Sequence, residues 1–259
     1  MKTTDANIPA KPVIVGPVVV GKEFYQGYYA DKGVDRNSLL RNPQVLFQTL
    51  AKDASFYSAL RMIDPDPSTC RILDVGCGSG ASLVNFLRIG FPPANLFGID
   101  FQEDRIQEGK ANLTGINFCH GDATRMEFPD GAFDIVMESA MFIHSVDDDL
   151  SRKIAGEMLR VTRPGGHILL SDWRYAKPGS NAYRALTQKR IAGLFDVGKK
   201  TVRRGVFSGE LLPPVGRFLS AHLPSAYFAV RTVMPFLVGQ KATVLRRLEA
   251  KDLHRLTVE

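Results

Sequence analysis

The chain is short of cysteine: Cys70, Cys77 and Cys119 are the only three in 259 residues. An odd number with neither paired nor metal-ligand spacing argues against a disulfide framework and against a zinc site, so no metal and a reducing, cytoplasmic setting are expected. Long apolar runs are also missing. The opening Met1-Lys2-Thr3-Thr4-Asp5 lacks the core of a signal peptide, and the apolar stretch 13–20, broken by Gly16 and Pro17, reads as an extended arm. The longest later apolar stretch, 215–237, contains Arg217, His222, Pro224, Arg231 and Pro235. Those residues make it a poor membrane span and favour packing over a sheet. With no internal repeat or low-complexity tract, one domain with additions is the expectation for this length.

The chain as a whole has a net charge of +6, but that charge is not evenly spread. From Arg174 to the end there are 16 Lys and Arg against 5 Asp and Glu, a balance of +11, whereas the first 173 residues carry 17 against 22, or −5. The basic character belongs to the C-terminal third, where it reads as a solvated face or as a surface for an anionic substrate or membrane.

Residues 22–62 have helix-like apolar spacing around Pro43, through Leu39, Leu40, Val45, Leu46, Phe47, Leu50, Phe56 and Leu60, and read as a helical cap. From Arg71 the pattern changes to short apolar runs at 71–75, 95–99, 116–119, 133–137 and 167–171. Candidate helices lie between them at 81–89, 103–112 and 150–162. The last has Leu150, Ile154, Met158 and Val161 on one face, an acidic cap in Asp147-Asp148-Asp149 and a stop in Pro164-Gly165-Gly166. Strands joined by crossover helices predict a doubly wound α/β sheet, Rossmann-like in layout. Beyond Asp172 the pattern predicts a helix over 181–195, strands over 201–207 and 241–248, and a helical stretch over 215–237. The divisions expected are an arm and cap over 1–66 and the main domain over 67–259, with 174–240 as a helical insertion on the acceptor side.

After the first run comes Asp74-Val75-Gly76-Cys77-Gly78-Ser79-Gly80, whose glycines let the backbone bend tightly and approach a ligand. Gly76-x-Gly78-x-x-Ala81 also satisfies the dinucleotide pattern. Asp74 discriminates between the two. A carboxylate at this strand end would repel a pyrophosphate, whereas it suits a ligand bearing an ammonium and a sulfonium, as S-adenosylmethionine does. Asp100, twenty positions after Gly80, can accept from ribose hydroxyls. Asp122 can accept from an adenine amino group, with Phe101 and Ala123 as apolar contacts for the ring. Each has a structural alternative: a tight βα turn for the glycines, a turn residue for Asp100, and an Asx or helix cap for Asp122.

The segment Ile72-Leu73-Asp74-Val75-Gly76-Cys77-Gly78-Ser79-Gly80 resembles the first motif of class I S-adenosylmethionine-dependent methyltransferases, the group that includes ubiquinone-biosynthesis and natural-product enzymes. Gly98-Ile99-Asp100, Gly121-Asp122-Ala123, Phe133-Asp134-Ile135-Val136 and Leu159-Arg160-Val161-Thr162-Arg163-Pro164-Gly165-Gly166 are similar to its later motifs, in order. The resemblance covers about residues 70–172. It implies S-adenosylmethionine as cofactor and a mostly parallel seven-stranded sheet whose seventh strand is antiparallel. It also implies that an aromatic residue of the cap, Tyr25, Tyr28 or Tyr29, closes over the cofactor, with ordinary cap packing as the alternative; Tyr28 is taken as the candidate.

The segment Glu138-Ser139-Ala140-Met141-Phe142-Ile143-His144 falls where an acceptor pocket opens in such sheets. It lacks the Asn/Asp-Pro-Pro-Tyr/Phe sequence of enzymes that methylate adenine or glutamine amides, which argues against nucleic acid as the acceptor. His144 can serve as a general base and Asp172 can orient its ring or hold an acceptor hydroxyl, an arrangement similar to that of natural-product sugar O-methyltransferases. Glu138 is a further candidate for cofactor or acceptor contact. The expected reaction is methyl transfer to a hydroxyl of a sugar, glycoside or amphiphilic small molecule. The basic, apolar tail suggests a lipid-linked acceptor and peripheral membrane contact. Carbon methylation of a lipidic or aromatic metabolite, a non-catalytic cofactor-binding module and an NAD-dependent dehydrogenase are the competing readings.

Overall fold

The computed structural model describes residues 34–249 and 252, so the arm at 13–20 and the cap tyrosines Tyr25, Tyr28 and Tyr29 lie outside the described residues. Seven strands form a single sheet: β1 Ile72–Val75, β2 Leu96–Asp100, β3 Asn117–His120, β4 Phe133–Ser139, β5 Thr162–Trp173, β6 Thr201–Ser208 and β7 Gln240–Arg247. Their order is β3-β2-β1-β4-β5-β7-β6. The first five strands are mutually parallel, and β7 runs antiparallel between β5 and β6. Central strands covered on both faces are mostly apolar, and all four residues of β1 are buried, Asp74 at its carboxyl end among them.

Helices cover both faces. One face carries α1 (Pro43–Ile63), α2 (Leu83–Arg88) and α3 (Glu103–Asn112), with Phe56, Leu60, Leu83, Phe86 and Ile106 meeting Ile72, Ile135 and Leu169 of the strands. The opposite face carries α4 (Asp148–Val161) and α5 (Gln188–Leu194), whose Ile154, Met158, Ile191 and Leu194 meet Leu73, Val136 and Leu170. The split follows from strand pleating, which sends alternate residues to opposite faces. Asp147 caps α4 by accepting from the N–H groups of Asp149 and Leu150, with Asp148 and Asp149 in the first turn where the helix dipole favours them.

Several boundaries differ from those the sequence pattern predicts, each for a local reason. Proline is tolerated at the first position of a helix, so α1 begins at Pro43 with Asn42 as its cap, and Leu39 and Leu40 stay outside it, Leu40 at 97% exposure. The helix expected over 181–195 is confined to α5, which Thr187 caps through the N–H of Arg190. The stretch 215–237 is not one helix. Pro224 and Pro235 interrupt it, leaving α6 (Pro213–His222) and α7 (Tyr227–Val233) with single 3-10 turns at the prolines. Strand β5 starts at Thr162, so Pro164-Gly165-Gly166 belongs to a long strand with an irregular register against β4. The insertion 174–240 also contains β6 and is only partly helical.

α1 is joined to this C-terminal section by a buried polar knot: Gln48 Nε2 donates to Leu211 O (3.1 Å), Leu211 N donates to Tyr227 Oη (3.1 Å), and Tyr227 Oη donates to Gln48 Oε1. Phe86, fully buried, packs edge-on between Phe56 and Phe91 at centroid distances of 5.1 and 5.2 Å and so ties α1 and α2 to the sheet. Phe86→Ala should lower the unfolding free energy by about 3–5 kcal/mol, read from urea denaturation.

Candidate active site

The turn after β1 is fixed to β2: the N–H groups of Gly76 and Cys77 both donate to Ile99 O, at 2.8 and 3.1 Å. Gly78 and Gly80 have φ of +55° and +91°, a region that disfavours any side chain. A Cβ on Gly80 would also stand 2.6 Å from Phe118 Cζ, so the residue admits no alternative. Met141 lies against Gly76, and Arg105 lies near Gly78. The Cys77 thiol is buried in the core against Gly98 and Leu83, which pushes its pKa up, so only the backbone of Cys77 is part of the ligand-facing turn.

Four neighbouring strands, β2, β1, β4 and β5, each bring one buried carboxylate to their carboxyl ends: Asp100, Asp74, Glu138 and Asp172. Asp100 Oδ2 accepts from Gly78 N (2.8 Å) and Oδ1 from Gln102 N (2.9 Å), which holds the turn in place and leaves each oxygen a second lone pair. Asp74 is 1% exposed, and neither of its oxygens has a hydrogen-bond partner among the described residues. Burial, then Glu138 and Asp100, push its pKa well up, opposed by the field of Lys52 on α1. Glu138 Oε2 accepts from Met141 N (2.9 Å), an approach made by the left-handed Ala140 (φ 58°) that turns the chain at the end of β4. Asp172 gives Oδ2 to Ile143 N (2.8 Å) and Oδ1 to Trp173 N (2.6 Å). Burial raises the pKa of both acids, and for Asp172 the neighbouring Glu138 adds to it.

Asp122 and Ala123 follow β3. Asp122 is exposed and caps an Asx turn through Thr124 N (2.8 Å), while Ala123 packs against the core. Phe101, 42% exposed, follows Asp100, and its carbonyl lies 3.0 Å from His120 Nε2. These three therefore flank the turn from the β2–β3 side.

On the other side, the loop after Glu138 carries His144, half-buried with its ring 5.1 Å from that of Tyr183. Burial pushes the His144 pKa down to about 4, so the imidazole is neutral around pH 7. Asp172 holds the backbone of this loop at Ile143 through Oδ2 and bonds Trp173 N through Oδ1. Arg190 of α5 completes the anchoring, donating to Phe142 O (3.1 Å), Arg184 O (3.0 Å), Ser145 O (2.5 Å) and Ser151 Oγ (2.8 Å).

Beside Asp172, between β5, β7 and α5, opens a cavity of about 240 Å³ lined among others by Arg174, Tyr175, Gln188, Lys241 and Thr243. Residue-by-residue reading of the sequence missed Arg174, Lys241 and Lys52. All three resemble ordinary surface cations in sequence, and only the strand register of Lys241 opposite Asp172 sets it apart.

Comparison with known proteins agrees with this geometry. Residues 72–166 match the family model of a methyltransferase domain. A fatty-acid O-methyltransferase of Mycolicibacterium smegmatis is 38% identical over 40% of this chain and 37% of its own length. A demethylmenaquinone methyltransferase of Beutenbergia cavernae is 36% identical over 40% of each chain. The chain thus spans about two-fifths of the length of the curated relatives it matches. The crystal structure described as a putative sarcosine dimethylglycine methyltransferase from Galdieria sulphuraria superposes with a TM-score of 0.56 at 15% identity, covering 77% of this chain and 86% of that one, a likeness of fold. The sheet order and glycine turn define a Rossmann-like domain of the class I type. Residues 72–166 are similar to a methyltransferase domain, and the sheet order is that of the Rossmann-like fold.

The residues present suit S-adenosylmethionine as cofactor. The carboxylate of Asp74, buried without a partner, is a site that a ligand ammonium would satisfy, and the side-chain-free Gly78 leaves the backbone open to close approach. In the unfolded chain Asp74 ionises near its ordinary 3.8, but in the folded chain only at higher pH. The folded state therefore holds the extra proton between those values, and stability falls as pH rises through them. Asp74→Asn should be more stable than the native sequence in ligand-free urea unfolding, by a margin that widens as pH rises above about 4. The same variant should bind S-adenosylhomocysteine at least ~10-fold more weakly by calorimetry.

Proposed function

We propose that this protein transfers the methyl group of S-adenosylmethionine to an oxygen of an amphiphilic small molecule, with a sugar or glycoside hydroxyl as the leading acceptor chemistry. The observation that carries the reading is His144, kept neutral by burial on the loop that follows Glu138. When bound, the cofactor supplies an electrophilic methyl group on a sulfonium. Asp74, Asp100 and the glycine turn hold it on the β1–β2 side, with Phe101, Asp122 and Ala123 as the adenine contacts. Glu138 adds a polar contact near the loop, and Asp172 fixes the loop itself. His144 takes the acceptor proton. A base of low pKa suffices for this, because the hydroxyl becomes strongly acidic as its oxygen gains a third bond, to the methyl carbon, while the carbon–sulfur bond breaks.

An amphiphilic acceptor is supported by the exposed apolar residues Phe218, Leu223, Val233, Met234 and Phe236, interspersed with Arg217 and Arg231, near the end of the chain. No helix among the described residues is long and apolar enough to cross a membrane, so any lipid contact of those helices is at a surface. The relatives named for fatty-acid and menaquinone substrates point the same way. The second of these also favours carbon methylation of a lipid-like ring as an alternative reading.

His144→Ala should lower turnover ~10²–10⁴-fold while leaving affinity for S-adenosylhomocysteine within about 3-fold. An acceptor panel of glycosides, fatty acids and quinols, analysed by mass spectrometry for the position of the added methyl, separates oxygen from carbon methylation. Cofactor binding without turnover on every acceptor would sink the enzymatic reading. Co-sedimentation with anionic liposomes is expected; its absence, with methylation of water-soluble acceptors only, would remove the membrane component.

A further inference from the structure

The cavity beside Asp172 has an electrostatic character that the methyl-donor site does not need. Leu170 pairs with Thr243 and Asp172 with Lys241 across the antiparallel β5–β7 ladder, so all four side chains share one face, and α5 lies over them with Gln188 and Ile191. Two cations line this space, Arg174 and Lys241. Arg174 is held in place by Pro235 O (3.1 Å), Phe236 O (2.9 Å) and Tyr175 Oη (2.5 Å), all through one terminal nitrogen, and its buried Nε has no partner. Lys241 makes no ion pair or side-chain hydrogen bond among the described residues. Its pKa is lowered by burial and by the repulsion of Arg174, the mark of two positive charges facing one space without a counter-ion.

The acid nearest to them offers no neutralisation. Both oxygens of Asp172 accept from backbone N–H groups, at Ile143 and Trp173, and burial beside Glu138 favours its protonated form. Gln188 Nε2 donates to Thr243 Oγ1 (2.9 Å) and its buried Oε1 has no partner, which leaves one more polar group for an occupant. Tyr175, which lines the cavity, donates from Oη to Phe236 O (3.1 Å) on the segment beside it, and both residues are exposed, at 43% and 59%.

From this arrangement we infer that the cavity between β5, β7 and α5 is an anion-binding subsite for the acceptor, taking a carboxylate or phosphate on Lys241 and Arg174 while the apolar part of the same molecule lies along Tyr175 and Phe236. The assignment of that molecule as acceptor rests on the methyl-transfer reading; the anion site itself does not. It gives the carboxyl edge of the sheet two electrostatic ends, acidic at β1–β2 where a cationic donor sits and basic at β5–β7 where an anionic acceptor is held.

Calorimetric titration of the full chain with decanoate, decyl phosphate, inorganic phosphate and decanol tests it at about pH 7.5, where decanoate is ionised. One or both of the chain-bearing anions should bind at least ~10-fold more tightly than decanol, lose that advantage with added salt and be displaced by inorganic phosphate. The arm that binds more tightly tells carboxylate from phosphate. Lys241→Met should abolish the advantage over decanol, and Lys241→Arg should restore it to within about 3-fold. The salt and competition measurements on the native sequence stand even if Lys241→Met fails to fold. Equal affinity for decanol and both anions, or anion binding unchanged in a folded Lys241→Met, overturns the subsite. S-adenosylhomocysteine binding, measured on the same samples, reports separately on the methyl-transfer reading: its loss with anion binding intact overturns that reading and leaves the subsite standing.

Discussion

Four strand ends that lie side by side each bring a carboxylate out of water, and the protein satisfies only some of them. Asp100 is tied to Gly78 and Gln102, and Asp172 to Ile143 and Trp173, so these two set the positions of the loops that they bond. Asp74 has no such partner. An unpaired buried carboxylate among others of its kind is costly, and a fold with so large and well packed a two-sided core can bear that cost. The turn, the loop after β4 and the cofactor preference all follow from where these four groups stand.

Much of this was readable in the sequence because it depends on local rules. Short apolar runs separated by helical periods predicted a doubly wound sheet, and α3 spans the very residues, 103–112, that the periodicity marked. Asp74 stood out because its charge is wrong for a pyrophosphate. What the sequence pattern misjudged has equally physical causes. A stretch can be apolar enough for one helix and still be cut by prolines, as α6 and α7 are at Pro224. Pro164-Gly165-Gly166 keeps its local irregularity, with Gly165 at positive φ, as a break in register between Thr162 and His167, the residues of β5 that pair with β4 on either side of it. Lys241 was not legible as a site residue at all, since its partner across the sheet is 69 positions earlier in the chain.

The two halves of the site differ in how they are built. Around the glycine turn the groups presented are backbone and carboxylate, with Gly78 and Gly80 at positive φ, and this half lies within the family match over 72–166. The other half is walled by the loop after β4, which lies inside that match, and by the segment around Tyr183 and the end of β5 with β7, which lie outside it. The relatives that share the first half carry names of chemically different acceptors.

The Arg190 guanidinium deserves a last consideration on this account. Three of its four bonds go to carbonyl oxygens, which every residue type possesses, and it reaches Phe142 and Ser145 on either side of Ile143 and His144. The loop is therefore gripped by its main chain, from below, at points that do not depend on what side chains it displays. Those bonds do not depend on the side chain of His144, which is half-buried, whereas Ile143 is itself part of the core. A single arginine on α5 thus fixes the path of the loop independently of the side chain displayed at His144.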